Sequence, residues 1–296
     1  MSRKPIFISA TGLFLALTIH AQAQLKVDLK ISRRLFLAYE PVVATVSVTN
    51  LSGREITLQD AGADKWFGFQ ITSGEDRPVP PRDANYALDP LTIKAGETLK
   101  RSVNLTSLYP ITDFGLYRVR ASIFFADLQR YFSSPASNIE ITEGKVIWQQ
   151  TVGVPEGQPG AGSYRTISLL THRLPKDNML YVRVEDRDGD TIYATGQIGR
   201  ILFSVTPDVQ LDAANQLYIL QLVGQRTYLL TRIGINGEWL GQITYNAVGT
   251  RPSLRRMADG HVEVVGGQVD VRVAQPANGP VAAKLSDRPP GLPKRR

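Results

Sequence analysis

The chain of 296 residues contains no cysteine and only three histidines. The missing cysteine excludes a disulfide framework, a thiol nucleophile, a zinc centre built on thiolates and a lipid-modified N-terminal cysteine. The shortage of histidine is nearly as restrictive. His20 falls in an N-terminal apolar segment, which leaves His172 and His261, far apart in sequence. A Ser-His-Asp centre would need one of these two, and no Gly-x-Ser-x-Gly exists to present a nucleophile. The run Gly160-Ala161-Gly162-Ser163-Tyr164 fails that spacing. Long apolar runs are missing as well, since none reaches the ~20 residues that span a bilayer. The chain is therefore expected to be non-catalytic, with no integral membrane span in its mature form.

Of what is present, the N-terminus is read first. Arg3 and Lys4 precede an apolar stretch from Pro5 to Ile19, and Ala21-Gln22-Ala23 follows as a small-x-small site. Charged, apolar and small-residue regions in that order predict a secretory signal peptide over residues 1–23. The protein is then expected to cross the inner membrane and reach the periplasm or the exterior. Roughly 270 residues remain, more than one ordinary domain, so two domains are expected. The net charge of +7 sits largely at the ends: Arg3 and Lys4 at the start, then Lys284, Arg288, Lys294, Arg295 and Arg296 against Asp287. The body between is close to neutral. A nucleic-acid partner is excluded on this ground, because such binders cluster cations on a folded face.

Residues 24–144 carry strand-like alternation. Leu25 to Ile31 alternates with period 2, and Val42, Ala44, Val46 and Val48 fall on one face of the next run, which ends at the turn Asn50-Leu51-Ser52-Gly53. Phe67, Phe69 and Ile71 alternate, as do residues 99–105, Tyr117 to Phe125 and 138–142. Asp113-x-Gly115-x-Tyr117-x-Val119 reads as a tyrosine corner, in which the Tyr hydroxyl bonds to backbone a few residues upstream. The Glu40-Pro41 before one strand, that strand's Val48-Thr49-Asn50 end and this corner together resemble the immunoglobulin-like modules of secreted bacterial proteins. The resemblance covers about 120 residues and implies a β-sandwich of the kind described for such domains. It implies structural roles for Asp113, Gly115, Tyr117, Val119 and Val46, the last two standing where antibody domains carry a disulfide. Trp66 lies one residue out of phase with the Phe67/Phe69/Ile71 face, so a Phe is expected to fill the usual place of the core Trp.

Residues 145–163 read as a connecting strand and a Gly/Pro-rich linker or long surface loop, since Gly153 to Ser163 offers little to bury. Residues 164–275 read as a second all-β domain. Hairpin signals recur at Asp188-Gly189, Gly224, Asn236-Gly237 and Asp259-Gly260, about 40 residues apart in their larger pattern. A propeller-like β-meander and an irregular sandwich both fit. Residues 276–296 form a basic, Pro-containing tail expected to be disordered. The overall class is all-β.

Asp186, Asp188 and Asp190 place three carboxylates at alternate positions, the pattern from which a Ca²⁺ loop draws oxygens. The sixth and twelfth positions from Asp186 hold Thr191 and Gln197, where an EF-hand has Gly and Glu. A polar hairpin turn is the plainer reading, with Ca²⁺ as the alternative and no other cofactor implied. Arg118 and Arg120 should face outward from the strand that buries Tyr117 and Val119. Trp148 and Trp239 could stack on a sugar ring, although strand anchoring explains both. The expected function is a non-catalytic secreted or periplasmic binding or scaffolding protein that meets another protein in or outside the envelope. Carbohydrate binding through exposed Trp148 and Trp239 is the alternative. A hydrolase accessory or protease-inhibitor role is a further one, with no inhibitory loop legible.

Overall fold

In the computed structural model, residues 24–74, 76–86, 88–202 and 205–270 are described. The expected signal peptide, the C-terminal tail and the last few residues of the second domain lie outside them. Among the described residues the first body comprises β1 (Leu25–Ile31), β2 (Leu35–Leu37), β3 (Val43–Asn50), β4 (Ile56–Leu58), β5 (Phe67–Ser73), β6 (Leu91–Ile93), β7 (Thr98–Asn104), the one-turn helix α1 (Leu105–Leu108), β8 (Gly115–Phe125), β9 (Arg130–Ser133) and β10 (Ser137–Thr142). One sheet runs β1-β3-β7. The other runs β2-β10-β8-β5, with β9 also on β8, and β4 pairs with β6. The chain changes sheets after β1: β1 is antiparallel to β3, whereas β2 lies parallel to β10 in the opposite sheet. This is a β-sandwich.

The period-2 pattern sets its core. Ala44, Val46 and Val48 of β3 meet Phe67, Phe69 and Ile71 of β5, Tyr117, Val119, Ala121 and Ile123 of β8, and Ile139 and Ile141 of β10. Trp66 is buried in the same core despite its phase. It sits just before β5, packs edge-on against Phe67 with ring centroids 5.4 Å apart, and donates its indole N–H to the Leu88 carbonyl at 3.2 Å. The expectation that a Phe replaces it is corrected accordingly: Trp66 and Phe67 fill the core together.

Two devices keep this sheet regular. β9 and β10 both lie along β8 but are interrupted at Ser134-Pro135, where proline has no N–H to give. Ser134 bridges the gap: its backbone N–H donates to the Ala121 carbonyl at 3.0 Å, and its hydroxyl accepts from the Ala121 N–H at 3.0 Å. The free edge of β5 is closed as well. The Tyr109 hydroxyl accepts from the Phe69 N–H and donates to the Phe69 carbonyl, both at 3.1 Å. Val79 N–H reaches the Ile71 carbonyl at 2.8 Å. An edge so covered cannot template pairing with another chain.

The second body comprises β11 (Lys145–Gly153), β12 (Tyr164–Arg173), β13 (Asn178–Asp186), β14 (Ile192–Arg200), β15 (Asp208–Leu211), β16 (Leu217–Leu222), β17 (Thr227–Ile233), β18 (Trp239–Asn246), β19 (Ser253–Arg256), β20 (Val262–Val265) and β21 (Gln268–Val269). Consecutive strands pair as meanders: β11-β12-β13-β14, then β15-β16-β17-β18-β21, then the hairpin β19-β20. The sheets stack in layers. Leu217 and Ile219 of β16 pack with Ile167, Leu169, Val182 and Val184 of the first meander, while Leu220 faces Leu254 and Val262 of the hairpin. The strand order follows the meander expectation.

The connecting strand expected within residues 145–163 is present, and the Gly/Pro-rich stretch is a surface loop and not an interdomain linker. Residues 145–153 are β11, antiparallel to β12 along its length. Residues 154–163 are the loop of that hairpin, closed by Val154 N–H to the Ser163 carbonyl at 2.8 Å. The passage between bodies falls instead at Glu143-Gly144. There a Cβ on Gly144 would stand 2.8 Å from Leu37 Cδ1 and 3.1 Å from Leu170 Cβ, so only glycine lets the two bodies approach this closely.

Candidate binding surfaces

The long strand β8 is the best-defined platform. It alternates strictly over its first half, with Tyr117, Val119 and Ala121 buried and Leu116, Arg118 and Arg120 exposed. The corner ahead of it is held by the Tyr117 hydroxyl, which donates to the Asp113 carbonyl at 2.9 Å. Gly115 takes φ +130°, a backbone conformation L side chains rarely adopt. Val46 and Val119 lie in one core cluster.

The outward face of β8 carries a mixed patch. Leu116 on this face is 48% exposed, and Phe114, in the corner just ahead of β8, is 62% exposed. By register Leu116 stands opposite Glu140, Arg118 opposite Thr72 and Asn138, and Arg120 opposite Gln70. Arg118 makes a surface ion pair with Asp76 at 3.3 Å. Such a pair is worth little in solution and yields readily to another acceptor. The apolar members of this patch were not singled out from sequence; the alternation that turned Arg118 outward turns Leu116 outward too.

A second cluster joins the two bodies and was also missed. Glu40 is 5% exposed and forms an ion pair with Arg33, while its other oxygen accepts the Leu37 N–H at 3.0 Å. Arg33 also donates to the Tyr181 hydroxyl at 2.8 Å, which in turn donates to Gln197 at 3.3 Å. His172 Nε2 meets the Thr142 hydroxyl at 2.7 Å, and its ring lies edge-on to Tyr181. Arg183 donates to the Ala38 carbonyl at 2.8 Å. Leu37, Leu170 and Tyr181 form the apolar part of the junction. Burial pushes the Glu40 carboxyl above its usual range, opposed by Arg33 and the Leu37 N–H. Burial and Glu40 push the Tyr181 phenol up to about 12. Burial, reinforced by the Arg33 charge, holds the His172 imidazole below its ordinary value. These groups are consumed in joining the bodies.

The other sequence candidates are placed as follows. Asp186 ends β13, and Asp188 and Asp190 lie in the turn to β14. Among the described residues no group of three or more His, Cys, Asp or Glu converges to hold a metal ion. Trp148 and Trp239 are half-buried and pack against the core between the meander sheets. His261 is exposed on the β19–β20 hairpin, held between Asp259 at 2.5 Å and Glu263 at 2.8 Å. These two carboxylates raise its pKa. Among the described residues no helix is long and apolar enough to cross a membrane.

No protein-family model and no curated protein matches the chain. Two solved structures are similar in part. One is the sporulation control protein Spo0M from Bacillus subtilis, 12% identical, with 60% of this chain and 91% of that one covered and a TM-score of 0.28. The other is the periplasmic chaperone SfaE, 12% identical, with 74% and 98% covered and a TM-score of 0.23. Likeness this distant carries no argument about what this chain binds.

Proposed function

We propose that this chain is a non-catalytic binding protein of the bacterial envelope or exterior that holds a protein partner on the outward face of β8. The observation behind this reading is the exposure of Leu116, Arg118 and Arg120 together on the outward face of one strand, with exposed Phe114 in the corner just ahead of it. Aromatic and arginine side chains dominate the energetics of protein interfaces. The two guanidiniums select a partner segment with acidic groups, and the two apolar side chains supply the area that association needs. The corner bond from Tyr117 and the paired neighbours β5 and β10 preorganise the strand, which lowers the ordering cost of binding. Delivery across the inner membrane rests on the N-terminal segment.

The test uses the tagged mature chain as bait in envelope and culture-supernatant extracts, beside a variant carrying Leu116→Ser, Arg118→Glu and Arg120→Glu. The expected result is one enriched protein that the variant fails to retain and that added salt weakens, because exposed charges are screened. Equal retention by both baits, or no enriched protein, would overturn the reading.

A further inference from the structure

The outward face of the first meander sheet is divided in two. Along β13, alternate residues Met179, Tyr181, Arg183 and Glu185 point away from the core that holds Leu180, Val182 and Val184. The sandwich covers this face at the Tyr181 end. At the Glu185 end it stays uncovered and leaves a cleft of about 450 Å³, broadly open to solvent.

The wall of that cleft is almost wholly polar. Gln149 brings an amide, both donor and acceptor, while Gln150, opposite the core-facing Ile167, turns its side chain to the other face of the sheet. Thr151 and Thr166 bring hydroxyls, bonded to one another at 2.9 Å with further capacity on each oxygen. Glu185, Arg187 and Asp188 complete it with two carboxylates and one guanidinium. Tyr164 stands at the rim. It is two residues before Thr166 on β12, hence on the same face, and it is 50% exposed. The Arg187 guanidinium lies 5.5 Å from the ring centroid and steadies it.

We infer that this cleft is a subsite for a neutral saccharide. The lining argues against hydrophobic and anionic ligands. It has no apolar wall to reward a hydrophobic ligand. Its two carboxylates against one guanidinium disfavour phosphates and other anions. What it offers is closely spaced donors and acceptors, carboxylates able to accept from adjacent hydroxyls, and a half-open aromatic ring at the rim. A pyranose presents the complement, with hydroxyls around its edge and a C–H face to lay on the ring. The site is separate from the β8 patch, so either assignment can fail without the other.

The test is isothermal titration calorimetry of the mature chain with cellotriose, maltotriose and chitotriose, with trigalacturonate and spermidine as charged controls. One neutral trisaccharide is expected to bind. Tyr164→Ala and Arg187→Ala should each weaken it about tenfold, the loss of one good contact. Tyr164→Phe should leave it unchanged, and all three variants should melt with the parent, since both positions lie at the surface. The Leu116→Ser, Arg118→Glu, Arg120→Glu variant should bind the sugar normally. No heat from any neutral trisaccharide at about 10 mM, a concentration that would reveal even millimolar affinity, would overturn the inference. So would a sugar affinity indifferent to Tyr164 and Arg187, or binding confined to the charged controls.

Discussion

Replacing Arg33 with methionine tests whether the buried ion pair fastens the two bodies. Glu40 is 5% exposed, and the Arg33 side chain 24%. Removing one partner of a buried pair leaves the other charge without compensation and costs ~3–5 kcal/mol. Because Arg33 keeps some solvent contact, the cost is expected near the lower end, about 3 kcal/mol. Arg33→Met with Glu40→Leu should be more stable than Arg33→Met alone by about 2 kcal/mol, because no charge is then stranded and only the bond to Leu37 N–H is lost. The pH dependence has a definite sign. The folded pKa of Glu40 lies above its ordinary value of 4.5, so the folded state holds the proton more readily than the unfolded chain. The contribution of this group to stability therefore falls as pH rises from 4.5 through the folded pKa. Losing Arg33 removes the charge that opposes the shift, so the Arg33→Met penalty should grow between about pH 5 and pH 7. Urea titrations followed by circular dichroism at both pH values measure all of this. A penalty under about 1 kcal/mol at pH 7, or a double variant no more stable than Arg33→Met, would refute the junction as argued.

Three further outcomes follow from single sites. Asn50 is fully buried; its amide donates to the carbonyls of Arg54, Ile93 and Lys94 at 2.6–3.2 Å and its oxygen accepts the Ser52 N–H at 2.9 Å. Asn50→Ala should cost about 2–4 kcal/mol in a chemical denaturation, since several buried polar groups lose their partner together. At the β17–β18 turn, Gly237 has φ +90°, and an added Cβ would fall 2.2 Å from the Ala194 Cβ. Gly237→Ala should cost about 2 kcal/mol or more, seen as a lower melting temperature, because backbone strain and collision between the meander sheets add. The Tyr181 phenol, raised from 10.0 to about 12, contributes stability that is complete below pH 10 and lost as pH rises through 12. Ultraviolet tyrosinate titration should show Tyr181 ionising late, together with unfolding, and Tyr181→Phe should soften that alkaline transition.

Strands were legible wherever one face is buried and the other solvated. Val43 to Asn50 alternates in sequence and alternates in burial, and so does the first half of β8. The corner could be read because its bond is local, four residues from Asp113 to Tyr117. The junction could not, since Arg33 reaches Tyr181 across 148 positions and each of its residues looks like ordinary surface polarity when taken alone. Glu40 was visible only as half of a Glu-Pro turn signal. β11 reads as a strand, but the body it joins stays open in the sequence. It is an edge strand exposed along most of its length, so it lacks the apolar alternation of a covered strand. The Gly/Pro-rich residues after it resemble a tether in composition while their backbone bonds make them a closed hairpin loop. Trp66 escaped the phase argument because it stands just ahead of β5, where the pleat has not yet fixed which way a side chain points.

The two proposed surfaces and the junction share one physical origin. In each sheet, period 2 sends half of the side chains inward, and function is left to the outward half. On β8 that half is Leu116, Arg118 and Arg120, uncovered because the neighbouring strands add only polar groups beside them. On β13 it is Tyr181, Arg183 and Glu185, and the sandwich settles on this face only partway along. Where it settles, Leu37 meets Leu170 and Tyr181, and Arg183 is drawn to the Ala38 carbonyl. Two residues further on the cover ends, and Glu185 opens into the cleft. Gly144 permits the close approach at the covered end, since any larger residue there would have to displace Leu37 or Leu170.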